Sequence, residues 1–330
     1  MNGVIEAVIN SYLNEAVMDV SRLSGGHING SFLVTGQHRY VLQCLNKSLY
    51  EAHLDTLLSN YKSYRAACIR FKKDKTLPGS WDYPRWFRDR DGEYFHRDSE
   101  GGLWRMYKYM PSDDLKKDGN TDTYEIGKGL GRLHYILGMT SGIRAVKTTA
   151  RLHDLSYFYE EYIKQKDSPK ERDAEIDKEI ETGYDFFSSI RVPGGNIIHG
   201  DAKIGNMIVR DGKVTGFIDL DTLMEGSRFD DIADCARSCC LDGSGEIDVP
   251  ALVKLLDGYE AGADVIFTKD ARELAAKNMV KNRFMLGMRY YTDYLADGGY
   301  FREEYPGRNL EKARGLFEPF IRASLELQLK

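Results

Sequence analysis

The stretch IIHGDAKIGNMIVRDGKVTGFIDLD, residues 197–221, decides the fold of this chain. Short apolar runs alternate in it with polar groups, a pattern typical of buried strands joined by loops. The first run leads to Asp201, the polar loop ends at Asn206, and the last run leads to Asp219 and Asp221. Polar side chains in loops at strand ends are available for binding and catalysis. The stretch therefore predicts a small strand–loop–strand unit that presents several oxygen ligands at one place.

The chemistry of these residue types indicates phosphoryl transfer. The carboxylate of Asp201 can orient an incoming hydroxyl or accept its proton. The amide oxygen of Asn206 and the carboxylate of Asp219 are hard ligands that suit Mg²⁺, and Lys203 can neutralise phosphate charge. Phosphoryl transfer consists mostly of positioning and charge stabilisation, so this set is sufficient for it. Asp221 is expected either to assist a second metal position or simply to end the strand.

The residues before this unit predict a small antiparallel sheet. EAVMDVSRL, SFLVTGQHRYVLQCLN and LWRMYKYM are rich in β-branched and aromatic residues, and a tight turn is expected at Gly36. Residues 51–72 have a helical pattern. PRWFRDRDGEYFHRD predicts a further hairpin with its turn at Asp91 and Gly92, because Asp-Gly is a strong hairpin signal.

After Pro111 the pattern becomes helical, apart from the opening unit. Helices are expected in DTYEIGKGLGRLHYIL and across residues 154–190, and four helical segments finish the chain. The glycines of GKGLGR lie inside a helical pattern and lack the spacing of a dinucleotide-binding loop, so they predict no cofactor site. The fold class is therefore α+β with two lobes, residues 1–110 and 111–330, and a ligand is expected between them.

Composition excludes several classes of protein. The chain has 330 residues, of which 42% are hydrophobic and 29% charged, with a net charge of −5. This composition suits a globular protein and gives no basic footprint for nucleic acid. No apolar run approaches the length of a membrane span, and the N-terminus does not resemble a signal peptide. The five cysteines form no C-x-x-C pair, which favours reduced thiols and a cytoplasmic location.

The spacing H-x-D-x-x-x-x-N, followed by a strand hairpin and an Asp, resembles the catalytic and metal-binding segments of the protein-kinase-like fold. With Gly200 in the HGD form, it is closest to the aminoglycoside phosphotransferase and choline kinase superfamily. The resemblance implies a bilobal kinase that uses ATP and Mg²⁺. EGSRFDDIADCAR resembles a further segment of that superfamily, in which Asp231 would brace the catalytic loop. His199 is expected to be a brace for the same loop rather than a reactant.

The segment LSGGHINGSF corresponds in this resemblance to the loop that covers the nucleotide phosphates. Gly25 and Gly26 permit close backbone approach, and their N–H groups can face phosphate oxygens. His27 and Asn29 are candidates to reach the phosphate or the acceptor, or to form the turn itself.

One position departs from the pattern of the superfamily. Gln43 stands in YVLQCLN where a Lys or Arg would contact the α- and β-phosphates. An amide can donate hydrogen bonds but carries no charge. Either Mg²⁺ and the backbone neutralise the phosphates, or the chain is a catalytically inactive nucleotide-binding pseudokinase.

A narrower resemblance, to the N-acetylhexosamine 1-kinases, rests on several short segments. These are GGHIN, VLQ-x-x-N, WR, HGDAKIGN, FIDLDT, DDIADCAR and GMRYYTDYLADGGYF followed by YPGRNLEKAR. The resemblance implies transfer of phosphate from ATP to the anomeric hydroxyl of GlcNAc or GalNAc, with Arg289 and Tyr300 contacting the sugar beside Asp201. It also implies that Gln43 is shared by active enzymes. The alternatives are the same fold acting on homoserine, choline or an aminoglycoside.

Overall fold

The structure is a computed structural model. It describes residues 3–23, 28–73, 81–113, 122–298, 300–301, 303 and 305–328, with side chains described up to residue 320. None of the helices in these ranges is long and apolar enough to cross a membrane.

The first lobe is built on a five-stranded antiparallel sheet with the strand order β1-β2-β3-β5-β4. Its strands are β1 (Asp19–Arg22), β2 (Gly30–Thr35), β3 (Arg39–Cys44), β4 (His96–Arg97) and β5 (Leu103–Lys108). Helix α1 (Gly3–Tyr12) packs its apolar face on one side of this sheet, where Val8 and Ile9 join Val34, Leu42 and Met106 in a buried cluster. Alternate strand residues point to one face, so this packing fixes the register of the sheet.

The predicted hairpin around Asp91 and Gly92 is wrong in position. A turn does form there, since the side chain of Asp89 accepts hydrogen bonds from the N–H groups of Asp91 and Glu93. The paired strands, however, are β4 and β5, which flank a later turn. In that turn the side chain of Asp98 accepts from the N–H groups of Glu100 and Gly102. Both acidic residues thus form turns, and the paired strands flank the second turn.

The second lobe is mostly helical, as predicted. Its helices are α4 (Thr123–Leu137), α5 (Leu155–Ile163), α6 (Ala174–Ser189), α7 (Arg228–Cys239), α8 (Val249–Ala263), α9 (Lys269–Leu295) and α10 (Arg308–Gln328). The short helix α2 (Lys47–Tyr50) and the long helix α3 (Leu54–Lys73) lie between β3 and β4. The helix predicted for residues 51–72, the two helices across 154–190 and the four final helices are therefore confirmed.

The glycines of GKGLGR lie in α4, as the helical pattern predicted, and two of them allow its close packing on α8. A Cβ on Gly127 would lie 1.9 Å from the carbonyl oxygen of Leu255, and one on Gly131 would lie 2.3 Å from that of Tyr259. Helices α4 and α8 therefore touch along their backbones, and larger side chains would separate them. Gly258 contributes from the opposite helix in the same way.

The opening sequence unit lies within the helical lobe as two small antiparallel pairs. Strand β6 (Asn196–Ile198) pairs with β9 (Met224–Gly226), and β7 (Met207–Arg210) pairs with β8 (Lys213–Phe217). The catalytic-loop candidate connects β6 to β7, and Asp219 follows β8. Both polar segments consequently emerge on the same side of the unit.

Candidate active site

The loop that follows β6 is held by a buried carboxylate. Asp231, at the start of α7, accepts hydrogen bonds from the backbone N–H groups of His199 at 2.7 Å and Gly200 at 2.8 Å. Its second partner group is the imidazole of His134, which donates from Nε2 at 2.9 Å. Burial would raise the pKa of Asp231, but His134 and His199 lower it. The predicted bracing role of Asp231 is confirmed by these contacts.

His199 is likewise part of the support. Its side chain is fully buried, and its Nε2 donates to the carbonyl oxygen of Ile218 at 2.9 Å. Gly200 has φ of 82°, and a Cβ there would lie 2.5 Å from the carbonyl oxygen of Thr222. A glycine is required at this point, because an L side chain would meet both a disfavoured backbone and a clash. The loop reaches Asp201 in one fixed direction.

Asp201 is surrounded by donors from its own loop. Lys203 Nζ donates to Asp201 Oδ2 at 2.6 Å, and Asn206 Nδ2 donates to the same oxygen at 3.0 Å. Asn206 Nδ2 also donates to the backbone carbonyl of Asp201 at 2.8 Å. Since the nitrogen of the Asn206 amide faces Asp201, its oxygen is left for another ligand. No donor to Asp201 Oδ1 occurs among the described residues.

Neighbouring charged and polar groups keep the carboxylate of Asp201 ionised. Burial raises the pKa of Asp201, but Lys203, Arg237 and His199 lower it further, and the result is a pKa of about 2. Burial lowers the pKa of Lys203, and Asp201 raises it above its ordinary value. Both groups are therefore charged at neutral pH. An ionised carboxylate with so low a pKa can accept a hydrogen bond but is a weak base.

Asp219 has the opposite electrostatic environment. It follows β8 with a left-handed backbone, φ 62° and ψ 57°. Burial, Asp221 and Asp201 raise the pKa of Asp219 to about 6, more than Lys203 and Arg105 lower it. No lysine or arginine in the described ranges lies within ion-pair distance of this carboxylate. A carboxylate in that position is a suitable ligand for a cation.

Asp221 is bound by an arginine of the sheet lobe. Arg105 on β5 donates to its two carboxylate oxygens, from Nη1 at 2.6 Å and from Nη2 at 2.8 Å. The exposed fractions are 1% for Asp221 and 2% for Arg105. The carboxylate therefore forms a buried, bidentate ion pair between the two lobes. This pairing favours the structural alternative for Asp221 that the sequence left open.

A cavity of about 710 Å³ lies between the sheet lobe and the helical lobe. Its walls include most of the predicted site residues that the structure describes, namely Asn29, Gln43, Asp201, Lys203, Asn206, Asp219, Arg289 and Tyr300. Asp221 is absent from its walls. Gly25, Gly26 and His27 lie outside the described residues, so their assignment to the nucleotide stays a prediction.

Two of the predicted nucleotide contacts come from the segment before β2 and from β3. Asn29 Oδ1 accepts a hydrogen bond from the N–H of Asn46 at 3.0 Å, which ties the residue before β2 to the start of α2. Gln43 Nε2 donates to Ser31 Oγ at 3.1 Å, and Gln43 Oε1 accepts from Arg105 Nε at 2.8 Å. Asn29 and Gln43 thus have local partners and also border the cavity.

The other end of the cavity is aromatic. Arg289 on α9 donates to the hydroxyl of Tyr300 at 3.1 Å. Its guanidinium carbon lies 4.7 Å from the ring centre of Phe158 and 5.4 Å from that of Phe301. Its Nε is buried without a hydrogen-bond partner in the described part of the chain. The predicted sugar contacts Arg289 and Tyr300 are therefore adjacent to each other and share one end of the cavity.

Sequence reasoning missed three residues of this region. Arg105 occurs in the quoted segment WR but received no role, although an arginine inside an apolar strand signals a buried partner. Arg237 borders the cavity and donates from Nε to Asp234 at 2.8 Å and to Asn282 at 2.9 Å. His153 borders it too and donates from Nε2 to the carbonyl oxygen of Gly200 at 3.1 Å. It lies in the turn before α5, in a segment whose sequence carried no recognisable motif.

Comparison with known proteins agrees with this geometry. The family described as APH, phosphotransferase enzyme family, matches residues 19–265, more than half of the chain. Amicoumacin kinase hAmiN, solved with AMP-PNP, Ca²⁺ and Ami, is similar over 96% of this chain and 92% of its own, with 14% identity and a TM-score of 0.64. Spectinomycin phosphotransferase APH(9)-Ia, solved with ADP and spectinomycin, covers 95% and 93%, with 12% identity and a TM-score of 0.61.

A third solved structure, APH(2")-IIa with streptomycin and ATP, is similar over 96% of both chains, with 16% identity and a TM-score of 0.57. At such identities these three likenesses establish the bilobal kinase-like fold, which was predicted from the sequence. The family match covers the sheet, the catalytic loop and Asp219 together. The chain is therefore a member of the APH phosphotransferase enzyme family.

Proposed function

We propose that this protein is an ATP- and Mg²⁺-dependent small-molecule kinase that phosphorylates the anomeric hydroxyl of an N-acetylhexosamine, GlcNAc or GalNAc. The observation that carries the kinase assignment is the convergence of Asp201, Asn206 and Asp219 on one cavity between the lobes. Gln43, from the sheet lobe, borders the same cavity. The choice of acceptor rests on the narrower sequence resemblance and on the charges described below.

The residues present fit a magnesium ion. Asn206 has its amide nitrogen turned to Asp201, which leaves its oxygen for a metal. Asp219 is a carboxylate with a raised pKa and without a cationic partner in the described ranges, so a bound cation would relieve its electrostatic cost. Mg²⁺ usually takes one or two protein ligands and completes its shell with phosphate oxygens and water. When bound, the ion would neutralise charge on the nucleotide phosphates.

Asp201 orients the acceptor for attack. Its Oδ2 is occupied by Lys203 and Asn206, so Oδ1 is the atom that accepts a hydrogen bond from the attacking hydroxyl. With a pKa of about 2, Asp201 takes the proton only as the new phosphorus–oxygen bond forms. This timing suits a loose transition state, in which the nucleophile needs orientation more than early deprotonation. Lys203 stays protonated and faces the transferred phosphate.

The acceptor end of the cavity favours a neutral molecule. Among the described residues, the walls of the whole cavity carry three carboxylates, Asp201, Asp219 and Asp234, and three strong cations, Lys203, Arg237 and Arg289. A polycationic aminoglycoside needs a surplus of acidic groups. Arg289, Tyr300 and the aromatic rings beside them offer hydrogen bonds and flat apolar faces, which suit a sugar.

The test is ADP release with a panel of acceptors. The panel contains GlcNAc, GalNAc, choline, homoserine and kanamycin, each with MgATP. We expect GlcNAc or GalNAc to give the highest kcat/KM, and we expect their methyl glycosides to be inert because the anomeric hydroxyl is blocked. A preference for choline, homoserine or kanamycin would keep the kinase but overturn the sugar assignment.

The catalytic assignment is tested by an isosteric pair of variants. Asp201→Asn should lower kcat by about 10³-fold or more while nucleotide affinity is kept, because the acceptor of the hydroxyl hydrogen bond is lost. Asp211→Asn is the control, since Asp211 lies exposed at the β7–β8 turn with φ 51°, a conformation that Asn also adopts. If no acceptor raises ADP release above the Asp201→Asn background, the protein is an inactive nucleotide-binding pseudokinase instead.

A further inference from the structure

The missing positive charge of β3 is found on the neighbouring strand. Gln43 occupies the place where the resemblance would put a cation for the phosphates. In the antiparallel pairing of β3 with β5, the residue opposite Gln43 is Arg105. Its guanidinium is directed toward the Gln43 side chain, with Nε 2.8 Å from Oε1. The positive charge is thus carried by Arg105 on β5, next to the Gln43 amide of β3.

This contact determines how the amide of Gln43 is turned. A guanidinium has five N–H donors and no acceptor, so only the oxygen of the amide can face it. The amide nitrogen is consequently directed away from Arg105, and it donates one hydrogen bond to Ser31 Oγ at 3.1 Å. Ser31 and Gln43 both border the cavity. The second N–H of the amide has no acceptor in the described part of the chain.

Arg105 itself is firmly held. Its Nη1 and Nη2 form the bidentate pair with Asp221, and the guanidinium lies 4.8 Å from the ring centre of Trp86. With an exposed fraction of 2%, it lies behind the cavity wall and does not border the cavity. Bidentate and stacked contacts leave an arginine little rotational freedom. The Gln43 amide oxygen therefore accepts a hydrogen bond from an arginine that is held in one position.

We propose that Arg105 is a positioning residue that presents the N–H groups of Gln43 to the phosphates of the bound nucleotide. The amide then replaces the usual lysine as a donor, and the charge behind it strengthens the donation, because a low-dielectric interior screens it weakly. Asp221 serves this arrangement by fixing Arg105, rather than by binding metal. The inference rests on the proposed function only in requiring that nucleotide phosphates occupy this end of the cavity.

The test is Gln43→Glu, which keeps the shape and the oxygen that faces Arg105 but replaces the cavity-side donor by an acceptor. We expect the dissociation constants of MgATP and MgADP, measured by calorimetry, to rise about tenfold or more, and that of adenosine to change less than about twofold. The KM of the acceptor should stay within about twofold, and the melting temperature should not fall, since Arg105 gains an ionic partner.

Arg105→Lys is the second variant, because it keeps the charge next to Asp221 but cannot also donate to Gln43 as a planar guanidinium does. It should weaken MgADP binding about threefold to tenfold and leave adenosine binding unchanged. The control is Arg97→Lys, an exposed arginine on β4 that pairs with Glu51, which should bind both ligands as the wild type does.

Two results would overturn the inference while leaving the proposed function intact. One is unchanged MgADP binding in Gln43→Glu, which would mean that the amide does not donate to phosphate. The other is an equal loss of adenosine and MgADP binding, which would indicate general distortion of the cavity. Absence of nucleotide binding by the wild type would be different, because it would overturn the proposed function and this inference with it.

Discussion

Two aspartates of the site differ in pKa because their neighbours differ. Lys203, Arg237 and His199 hold the pKa of Asp201 at about 2 in spite of burial. Burial and the carboxylates of Asp221 and Asp201 raise the pKa of Asp219 to about 6. Pairs of carboxyl groups with divergent pKa values generally have divided roles. Here one is suited to a hydroxyl group and the other to a cation.

The first prediction concerns the stability of Asp219→Asn. Because the pKa of Asp219 is raised in the folded protein, its contribution to stability is present below about pH 4 and is lost as the pH rises through about 6. Without Mg²⁺, the variant should therefore unfold at higher temperature than the wild type near pH 7.5, by about 1–3 kcal/mol in the free energy of unfolding. Thermal unfolding in EDTA measures this, and Asp211→Asn serves as the control. A variant that is less stable near pH 7.5 would contradict the environment described for Asp219.

The second prediction concerns the pH dependence of turnover. Metal binding requires the ionised carboxylate, so protons compete with Mg²⁺ for Asp219. We expect kcat/KM for MgATP to fall below about pH 6 at limiting Mg²⁺, and a tenfold higher Mg²⁺ concentration to move the midpoint to lower pH. Initial rates between about pH 5 and pH 8 at both concentrations measure the effect. If the midpoint of the pH dependence of kcat/KM does not change with Mg²⁺ concentration, the loss of activity at low pH comes from a group other than Asp219.

At the scale of elements, the helical lobe depends on the contact between α4 and α8. Gly127 and Gly131 on one helix and Gly258 and Gly262 on the other leave no room for a Cβ at the crossing. Helix α4 also supplies His134, the partner of Asp231. The packing of this helix pair therefore supports the brace of the catalytic loop as well as the core.

The third prediction compares two Gly→Ala substitutions in helices. Gly127→Ala should destabilise the fold by about 1–3 kcal/mol, because its Cβ would lie 1.9 Å from the carbonyl oxygen of Leu255. Gly315→Ala on α10 should stabilise it by about 0.5–1 kcal/mol, since no atom lies within 4 Å of the added Cβ and alanine favours a helix. Denaturant unfolding of both variants gives the comparison. Equal effects of the two substitutions would mean that α4 and α8 do not pack as closely as described.

Local sequence patterns predicted the elements well where periodicity and turn chemistry agreed. The sheet, the long helices and the strand–loop–strand unit around Asp201 follow from such patterns. The hairpin was misplaced because Asp89 and Asp98 each form a turn, and only the pairing of β4 with β5 chooses between them. Long-range contacts of this kind carry no local signal.

The same reason limited the prediction of the site. The residues from Asp201 to Asp219 lie close together in sequence, so their spacing revealed a common role. Arg105 and Asp221 are separated by 116 positions, and only the three-dimensional structure shows that they form a pair. Arg237 and His153 were missed similarly, because Arg237 on α7 contacts Asn282 on α9 and His153 donates to Gly200 from a distant connecting segment.

At the scale of the whole molecule, the two lobes supply different chemistry to one cavity. The sheet lobe contributes neutral donors such as Ser31 and Gln43, whereas every strongly charged wall residue in the described ranges comes from the helical lobe. The buried pair of Arg105 and Asp221 joins the lobes behind the cavity. Because the wall charges balance, the cavity has no excess of one sign with which to attract a charged acceptor.

The fourth prediction follows from that balance. For a neutral hexosamine, KM should change less than about twofold between about 50 and 300 mM KCl, because long-range attraction plays no part in its capture.

Arg289→Ala should raise the KM of the sugar by about tenfold or more and that of MgATP by less than about twofold, since Arg289 lies at the acceptor end. Arg314→Ala on α10 is the control, as its exposed guanidinium pairs with Asp173. Steady-state kinetics at both salt concentrations test both statements. A steep rise of the acceptor KM with salt would indicate a charged acceptor. Equal effects of Arg289→Ala on the KM of the sugar and of MgATP would mean that Arg289 does not recognise the acceptor.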